Sequence, residues 1–381
     1  MHKELFAQLL NMSTKSDYVI SLYLEVDGKI YPNNEYETVL KELIKEAKSS
    51  LSHYNDEIKK NINNDLEEIL KKIHNEFQRG SDKSVALFCS STAKLWKMLK
   101  LAAKVRSSLV IREYPYLRPL LQALPLQKKY GIILLSSNKA NFCLSEGDKL
   151  EEFDSIATEV PQRVKTAGKT AGWKGYSDRK IERHIDDHIL KHFKNVTAKL
   201  VEFVTTHKCE NIIIGGEKRN IDDFIATLPE VWQKKIIDKL HINIETEMKD
   251  LSSKTHDSIK IFNAAKEKNL LDKIKQEAMS KSLGAIGLES VFDAIRHKQV
   301  STLAVKQNFS LPGKKCSYCR WLHIMLDTCQ LCGKKMVGVP DIIEEAINES
   351  LLQNSDVYII QYHPSAISEM EGIAALLRFQ L

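Results

Sequence analysis

No run of eighteen apolar residues occurs in this 381-residue chain, and no secretory leader pattern is visible, so neither a membrane span nor secretion is expected. No internal repeat and no low-complexity tract is present, which argues against a solenoid or a disordered linker protein. No Gly-x-Gly-x-x-Gly or Gly-x-x-x-x-Gly-Lys motif offers a phosphate cradle; the pair Gly215-Gly216 reads as a tight strand-to-helix turn. Charge of one sign is not in large excess. Lys and Arg number 56 against 50 Asp and Glu, and the net +6 permits a nucleic-acid partner without requiring one. What remains is an ordinary globular composition, 43% hydrophobic and 28% charged, long enough for two or three domains.

Cysteine is sparse outside one place. Cys89, Cys143 and Cys209 lie far apart in apolar segments and read as free buried thiols, which points to a reducing cytoplasm. The other four form Cys316-Ser-Tyr-Cys319, nine residues, then Cys329-Gln-Leu-Cys332. Two such pairs present four thiolates from two tight turns, the donor set of a structural zinc. A redox dithiol would need a single such pair opening a helix. A closed four-thiolate site has no open coordination position, so it staples a fold rather than catalysing. His323, between the pairs, is a substitute ligand that four cysteines make unnecessary. Lys314, Lys315, Lys334 and Lys335 flank the site and suit either RNA contact or solvation.

Along the chain, Val19–Val26 is rich in β-branched and aromatic residues and predicts a strand. Helical periodicity follows at Tyr36, Val39, Leu40, Leu43, Ile44, Ala47 and Leu51, and again from Ile58 to Phe77, with a polar bend at His53-Tyr-Asn-Asp56. After short apolar runs at 85–88 and 109–111, Tyr114-Pro-Tyr-Leu-Arg-Pro119 reads as a linker. A second region has strands at 131–135, 140–144 and 211–216. It also has a polar, basic loop at 160–178 and a long helix at 178–207. A charged helix at 254–279 leads to the last region, with strands at 301–305, 357–360 and 373–379. The fold class expected is α/β, of three domains: an N-terminal one at 1–125, a middle one at 126–265 and a C-terminal one at 266–381 carrying the zinc ribbon at 314–336. The alternation of strands and helices implies mostly parallel sheets flanked by helices.

Around the basic loop, Lys169, Trp173, Lys174, Tyr176, Arg179 and Arg183 interleave cationic and aromatic groups, a pattern suited to stacking on bases and neutralising phosphates. The plainer reading is a solvated loop. On an ideal helix Arg179 and Arg183 point away from the apolar stripe. His184, His188 and His192 recur every four residues, and with Asp187 nearby they have metal-binding spacing, though His192 turns toward that stripe.

Several segments in this order resemble the archaeo-eukaryotic class-1 peptide-chain release factors and their Pelota relatives. They are the first strand Val19-Ile-Ser-Leu-Tyr-Leu24, Ser301-Thr-Leu-Ala-Val305 leading into an inserted zinc ribbon, and the tail Glu371-Gly-Ile-Ala-Ala-Leu-Leu-Arg-Phe379. Phe88-Cys-Ser90, Tyr116-Leu-Arg-Pro119, Arg183-His184 and Ile213-Ile-Gly-Gly216 look most like the bacterial branch of that superfamily. The resemblance covers nearly the whole chain. It implies a protein that enters the ribosomal A site in imitation of tRNA, its first domain toward the decoding centre and its middle domain toward the peptidyl-transferase centre. The last domain, of an RNA-binding type, would face a translational GTPase or the stalk base.

Two departures qualify that implication. Members that release peptide carry a Gly-Gly-Gln tip before the long helix, where backbone amide and glutamine position water. Here the matching place reads Ala171-Gly172-Trp173-Lys174-Gly175-Tyr176, with Trp173 in the position of the glutamine. An indole offers one donor and no acceptor, so it does not orient water as an amide does. The stop-codon turn Asn-Ile-Lys-Ser is replaced by His53-Tyr-Asn-Asp56, and Asn61-Ile62-Asn63 falls within a periodic helix. The expected function is therefore a non-catalytic, ribosome-binding, cytoplasmic factor for hibernation or rescue. Zinc is its expected cofactor, the ribosome and its RNA with a translational GTPase its expected partners, and a monomer its expected state. The alternatives are a peptidyl-tRNA-hydrolysing release factor with an altered tip, or an RNA-binding or nuclease-type protein unrelated to the ribosome that uses the histidine ladder.

Overall fold

In a computed structural model, which describes residues 2–13, 17–80, 82–124, 128–147, 149–158 and 174–380, the chain divides into two compact units. One gathers Met1–Leu126 with Ala264–Leu381; the other is Gln127–Asn263. The three-domain expectation put its divisions at 125/126 and 265/266; here the outer two segments form one unit.

The first segment opens with a helix that the sequence reading does not anticipate, α1 (His2–Ser13), burying Phe6, Leu9 and Leu10 at helical spacing. Strand β1 (Val19–Glu25) lies inside an antiparallel sheet of order β3-β2-β1-β4, with β2 (Ser84–Ser90), β3 (Leu95–Leu101) and β4 (Ser108–Arg112). Ile20, Leu22 and Leu24 face α2 (Tyr36–Ser49) and α3 (Asp56–Asn75); Val19 and Tyr23 face a second core. Burial on both faces explains why β1 has no polar alternation. Strand β3, also unanticipated, is a half-exposed edge on which Lys97 and Lys100 interrupt the apolar residues. The bend before α3 is a cap: Asn55 accepts a hydrogen bond from Ile58 N at 2.8 Å. Asn61, Ile62 and Asn63 lie within α3.

The expected linker at Tyr114–Pro119 is not one. Leu117 is buried, and Pro119 sits in the first turn of α4 (Arg118–Ala123), where its missing N–H costs nothing. That helix packs into the core shared with the last segment.

The second unit has a five-stranded sheet of order β7-β6-β5-β8-β9. Its strands are β5 (Lys129–Leu135), β6 (Lys139–Glu146), β7 (Lys149–Ala157), β8 (Asn211–Gly216) and β9 (Ile236–His241). One face carries α5 (Lys174–His207), with Phe193, Val196, Leu200 and Phe203 buried, and α6 (Lys218–Thr227). A short α7 (Glu230–Gln233) precedes β9. The other face is covered by Leu251 and Ile259 of α8 (Met248–Met279). Gly215 and Gly216 allow close strand approach: a Cβ on Gly216 would lie 2.2 Å from the Leu135 carbonyl oxygen, and one on Gly215 2.6 Å from a Leu134 methyl. Helix α5 begins at Lys174, four residues before the expected start.

The last segment has a sheet of order β10-β16-β11-β15. Elements β10 (Gly284–Ile286), α9 (Leu288–Arg296) and β11 (Val300–Lys306) precede the ribbon strands β12 (Gly313–Cys316), β13 (Leu322–His323) and β14 (Met336–Val339). Then come α10 (Ile342–Leu352), β15 (Asp356–Ile360), α11 (Pro364–Ser368) and β16 (Ile373–Leu377). The mixed α/β class holds, but the sheets are not mostly parallel. Among the described strands only β5/β8, β8/β9 and β11/β15 run parallel, because hairpins supply the other neighbours.

Candidate functional site

The four ribbon cysteines converge. Their Sγ atoms all lie within 4.8 Å of one another, at 3.5 Å for Cys316–Cys332, 3.5 Å for Cys319–Cys329 and 3.8 Å for Cys319–Cys332. Tetrahedral Zn–S bonds of about 2.3 Å separate the sulfurs by about 3.8 Å, so the donor set fits zinc. The two turns are built alike. The residue after each pair, Arg320 and Gly333, has positive φ (62° and 67°) and donates its N–H to the first cysteine's carbonyl, at 3.0 and 2.9 Å. Trp321 and Lys334 carbonyls accept from Cys316 N and Cys329 N, both at 2.8 Å. Burial opposes ionisation of Cys316, but amide and thiol hydrogen bonds bring its pKa down to about 6, while burial and the neighbouring thiols push Cys319 up to about 12. Among the described residues no other cluster of this kind occurs, and His323 does not join it. The His323 Nδ1 instead accepts from Met325 N and Leu326 N, both at 3.1 Å.

The flanking lysines divide. Lys315 turns inward: burial works against its charge, yet Glu345 (2.6 Å) and Glu349 (3.4 Å) on α10 hold its pKa above the usual range. It is unavailable to RNA. Lys314 pairs with Asp327, whereas Lys334 and Lys335 are exposed. Arg320 also reaches Glu349, at 2.6 Å. Lys315 and Arg320 both lie over the ring of Tyr114, at 4.9 and 5.5 Å from its centroid, so the ribbon clamps a residue of the first segment.

Beneath this clamp is a second polar centre that sequence reasoning missed. Arg118 is 4% exposed. It donates to Asp341 at 3.1 Å and to the Phe309 carbonyl at 2.7 Å, and its Nε lies 3.1 Å from Glu344. Leu117 N donates to Glu344 at 3.3 Å. Burial pushes the Glu344 carboxyl up to about 7 despite the Arg118 cation. Asp341 also caps α10, accepting from Ile343 N at 3.1 Å.

On α5, Lys174, Tyr176, Arg179 and Arg183 fall on the first three turns, the backbone of which is helical. Their side chains, and Lys169 and Trp173 altogether, lie outside the described residues. The histidine ladder splits. The His184 and His188 rings meet edge to face at 4.6 Å between centroids. His192 is fully buried, with Nδ1 2.9 Å from the Thr158 hydroxyl, and burial lowers its pKa. Three ligands are not brought together there. Cys89, Cys143 and Cys209 are free and buried; burial raises their pKa, to about 12 for Cys143 and about 11 for Cys209. No helix among the described residues is long and apolar enough to cross a membrane.

Residues 115–260 match the model of bacterial archaeo-eukaryotic release factor family 10. The chain is 25% identical over 291 residues to the peptide chain release factor subunit 1 of Pyrococcus abyssi, across 69% of each chain. It is 23% identical over 285 residues to that of Methanococcus maripaludis, across 66% of each. The crystal structure of an archaeal translation termination factor overlaps 99% of this chain and 98% of its own at 15% identity and a TM-score of 0.26. Archaeoglobus fulgidus Pelota overlaps 80% and 82% at 16% identity and 0.35. Those two overlaps are too loose to carry any inference. The sequence matches agree with the motif order: residues 115–260 are similar to that bacterial release-factor family, and the chain is similar to the archaeal release factor subunit 1.

Proposed function

We propose that this chain binds the ribosomal A site without hydrolysing peptidyl-tRNA, in hibernation or rescue. The observation that carries the reading is the sequence before α5: Ala171-Gly172-Trp173 stands where releasing members have Gly-Gly-Gln. Trp173 lacks the amide that would orient water, and in the sequence it stands among Lys169, Lys174 and Tyr176, a composition suited to stacking on bases and contacting phosphates. The described residues favour a binding role over metal-dependent RNA cleavage, since His192 belongs to the core of the second unit. The bend at His53–Asp56 serves as the cap of α3, so its asparagine is engaged with backbone rather than offered to a codon. The zinc ribbon then acts as a staple, and a translational GTPase is the further partner.

The test is ribosome binding by an Arg179→Glu, Arg183→Glu double variant. Every phosphate that is no longer neutralised lowers affinity and flattens the dependence on salt, so weaker binding with a shallower slope is expected. Binding identical to wild type at every salt concentration removes the start of α5 from the interface.

A further inference from the structure

The four ribbon thiols are not equivalent to solvent. Cys316 and Cys329 are 0% and 1% exposed, covered with Met336 and Trp321. Cys319 is exposed and Cys332 half-buried, and their sulfurs are 3.8 Å apart. Each sits at the end of a turn whose tip is open: Tyr318 is 75% exposed and Leu331 48%. Closing 3.8 Å to a disulfide of about 2.05 Å requires a movement of about 1.8 Å, which two solvent-facing turns can accommodate. The closer pairs, Cys316–Cys332 and Cys319–Cys329, each include a buried sulfur that an oxidant in water does not reach first.

We propose that the ribbon is an oxidant-responsive site: hydrogen peroxide joins Cys319 to Cys332 and thereby loosens the hold of the ribbon on Tyr114. The step balances. In the zinc-loaded protein, where all four cysteines would be thiolates, the Cys319 sulfur attacks a peroxide oxygen, the O–O bond breaks, and hydroxide leaves and takes a proton from solvent, giving a sulfenic acid. The Cys332 thiolate attacks that sulfur, the S–O bond breaks, and a second hydroxide leaves as water. Two electrons pass from the sulfurs to peroxide, yielding one disulfide and two waters. Only Cys316 and Cys329 remain as donors where four closed the site, so the metal is no longer retained.

The consequence reaches the first segment because Arg320 is part of the knuckle. Its N–H to the Cys316 carbonyl and its positive φ belong to the turn, while its guanidinium holds Glu349 and, at 3.4 Å, the Tyr114 hydroxyl. Losing the turn releases one of the two cations over Tyr114, next to the buried Arg118 centre. A zinc ribbon used only as a staple needs no such asymmetry of exposure.

The proposal rests on the zinc reading, and one experiment separates the two. The full-length protein is assayed for zinc as purified, then treated with hydrogen peroxide. Released zinc is followed with a chromogenic chelator, thiols are mapped by differential alkylation and mass spectrometry, and hydrogen exchange is measured over 112–123. The expected result is one zinc per chain, released as a Cys319–Cys332 disulfide forms, with faster exchange around Tyr114, reversed by reductant and zinc. An Arg320→Ala variant should keep zinc but show the faster exchange before any oxidant. Retention of zinc through peroxide treatment, oxidation of Cys316 or Cys329 first, or unchanged exchange around Tyr114 overturns the proposal. A protein purified without zinc contradicts the zinc reading, and the disulfide map and exchange then decide the oxidation proposal by themselves.

Discussion

The four-cysteine ribbon and the Arg118 centre lie in the same unit and bring polar groups together by opposite means. The ribbon gathers four thiols from seventeen consecutive residues, Cys316 to Cys332, in an arrangement that fits a zinc ion. The Arg118 centre gathers one cation and two carboxylates from positions more than two hundred residues apart, with its counter-charge supplied by the chain itself. A metal site of local ligands can empty and refill as a unit. A buried ion cluster between distant segments can only be undone by parting those segments or changing their protonation.

The largest effect is expected at the ribbon. Cys316→Ser with Cys319→Ser should abolish zinc binding, which in small zinc domains is worth about 10–16 kcal/mol of folding free energy. The ribbon should unfold locally while the Gln127–Asn263 unit keeps its protection from hydrogen exchange. One equivalent of zinc still bound by the double variant would show the ligand set to be wrong.

Removing Arg118 comes next. Arg118→Met leaves Asp341 and Glu344 buried without their cation, a change that costs about 3–5 kcal/mol in comparable buried pairs. A fall of that size in the unfolding free energy is expected from denaturant titration, and a change below about 1 kcal/mol would mean that the carboxylates find other partners.

Protonation offers a gentler way to separate the two centres. The Glu344 carboxyl has a folded pKa raised to about 7 from an ordinary 4.5. The folded state therefore binds this proton more tightly, and its contribution is fully present below the ordinary value and lost as pH rises through about 7. Glu344→Gln keeps an acceptor for Leu117 N and should flatten that part of the stability–pH curve, with the variant gaining most on wild type above about pH 7. Parallel curves for the two proteins would contradict the assignment. In the second unit His192 gives the opposite sign. Its lowered pKa makes stability fall as pH drops below the ordinary histidine value, and His192→Phe should remove that smaller dependence.

What the sequence made legible follows the same division. The convergence of the four ribbon cysteines could be read because two turns of fixed length place them. Strand β1 and helices α2, α3 and α5 were readable from apolar runs and stripes whose periods are local. Arg118 read as part of a linker because its two flanking prolines suggest a break, and nothing nearby in sequence announces Asp341 or Glu344. Lys315 read as a surface cation because its acceptors arrive only with α10. Helix α1 was missed although Phe6, Leu9 and Leu10 have helical spacing, a short signal at a chain end. The sheets read as parallel because βα alternation was weighed above the hairpins β5–β6–β7 and β2–β3.

The proposal that Trp173 marks a binding factor rather than a hydrolytic one is addressed by a single sedimentation assay. Purified 70S ribosomes, empty or carrying peptidyl-tRNA, are sedimented with the protein while peptide release is followed in the same tubes. Salt-dependent co-sedimentation without peptide release is the expected result, with a preference for empty particles favouring hibernation over rescue. Peptide release above the background rate, or no association with either particle, would contradict it.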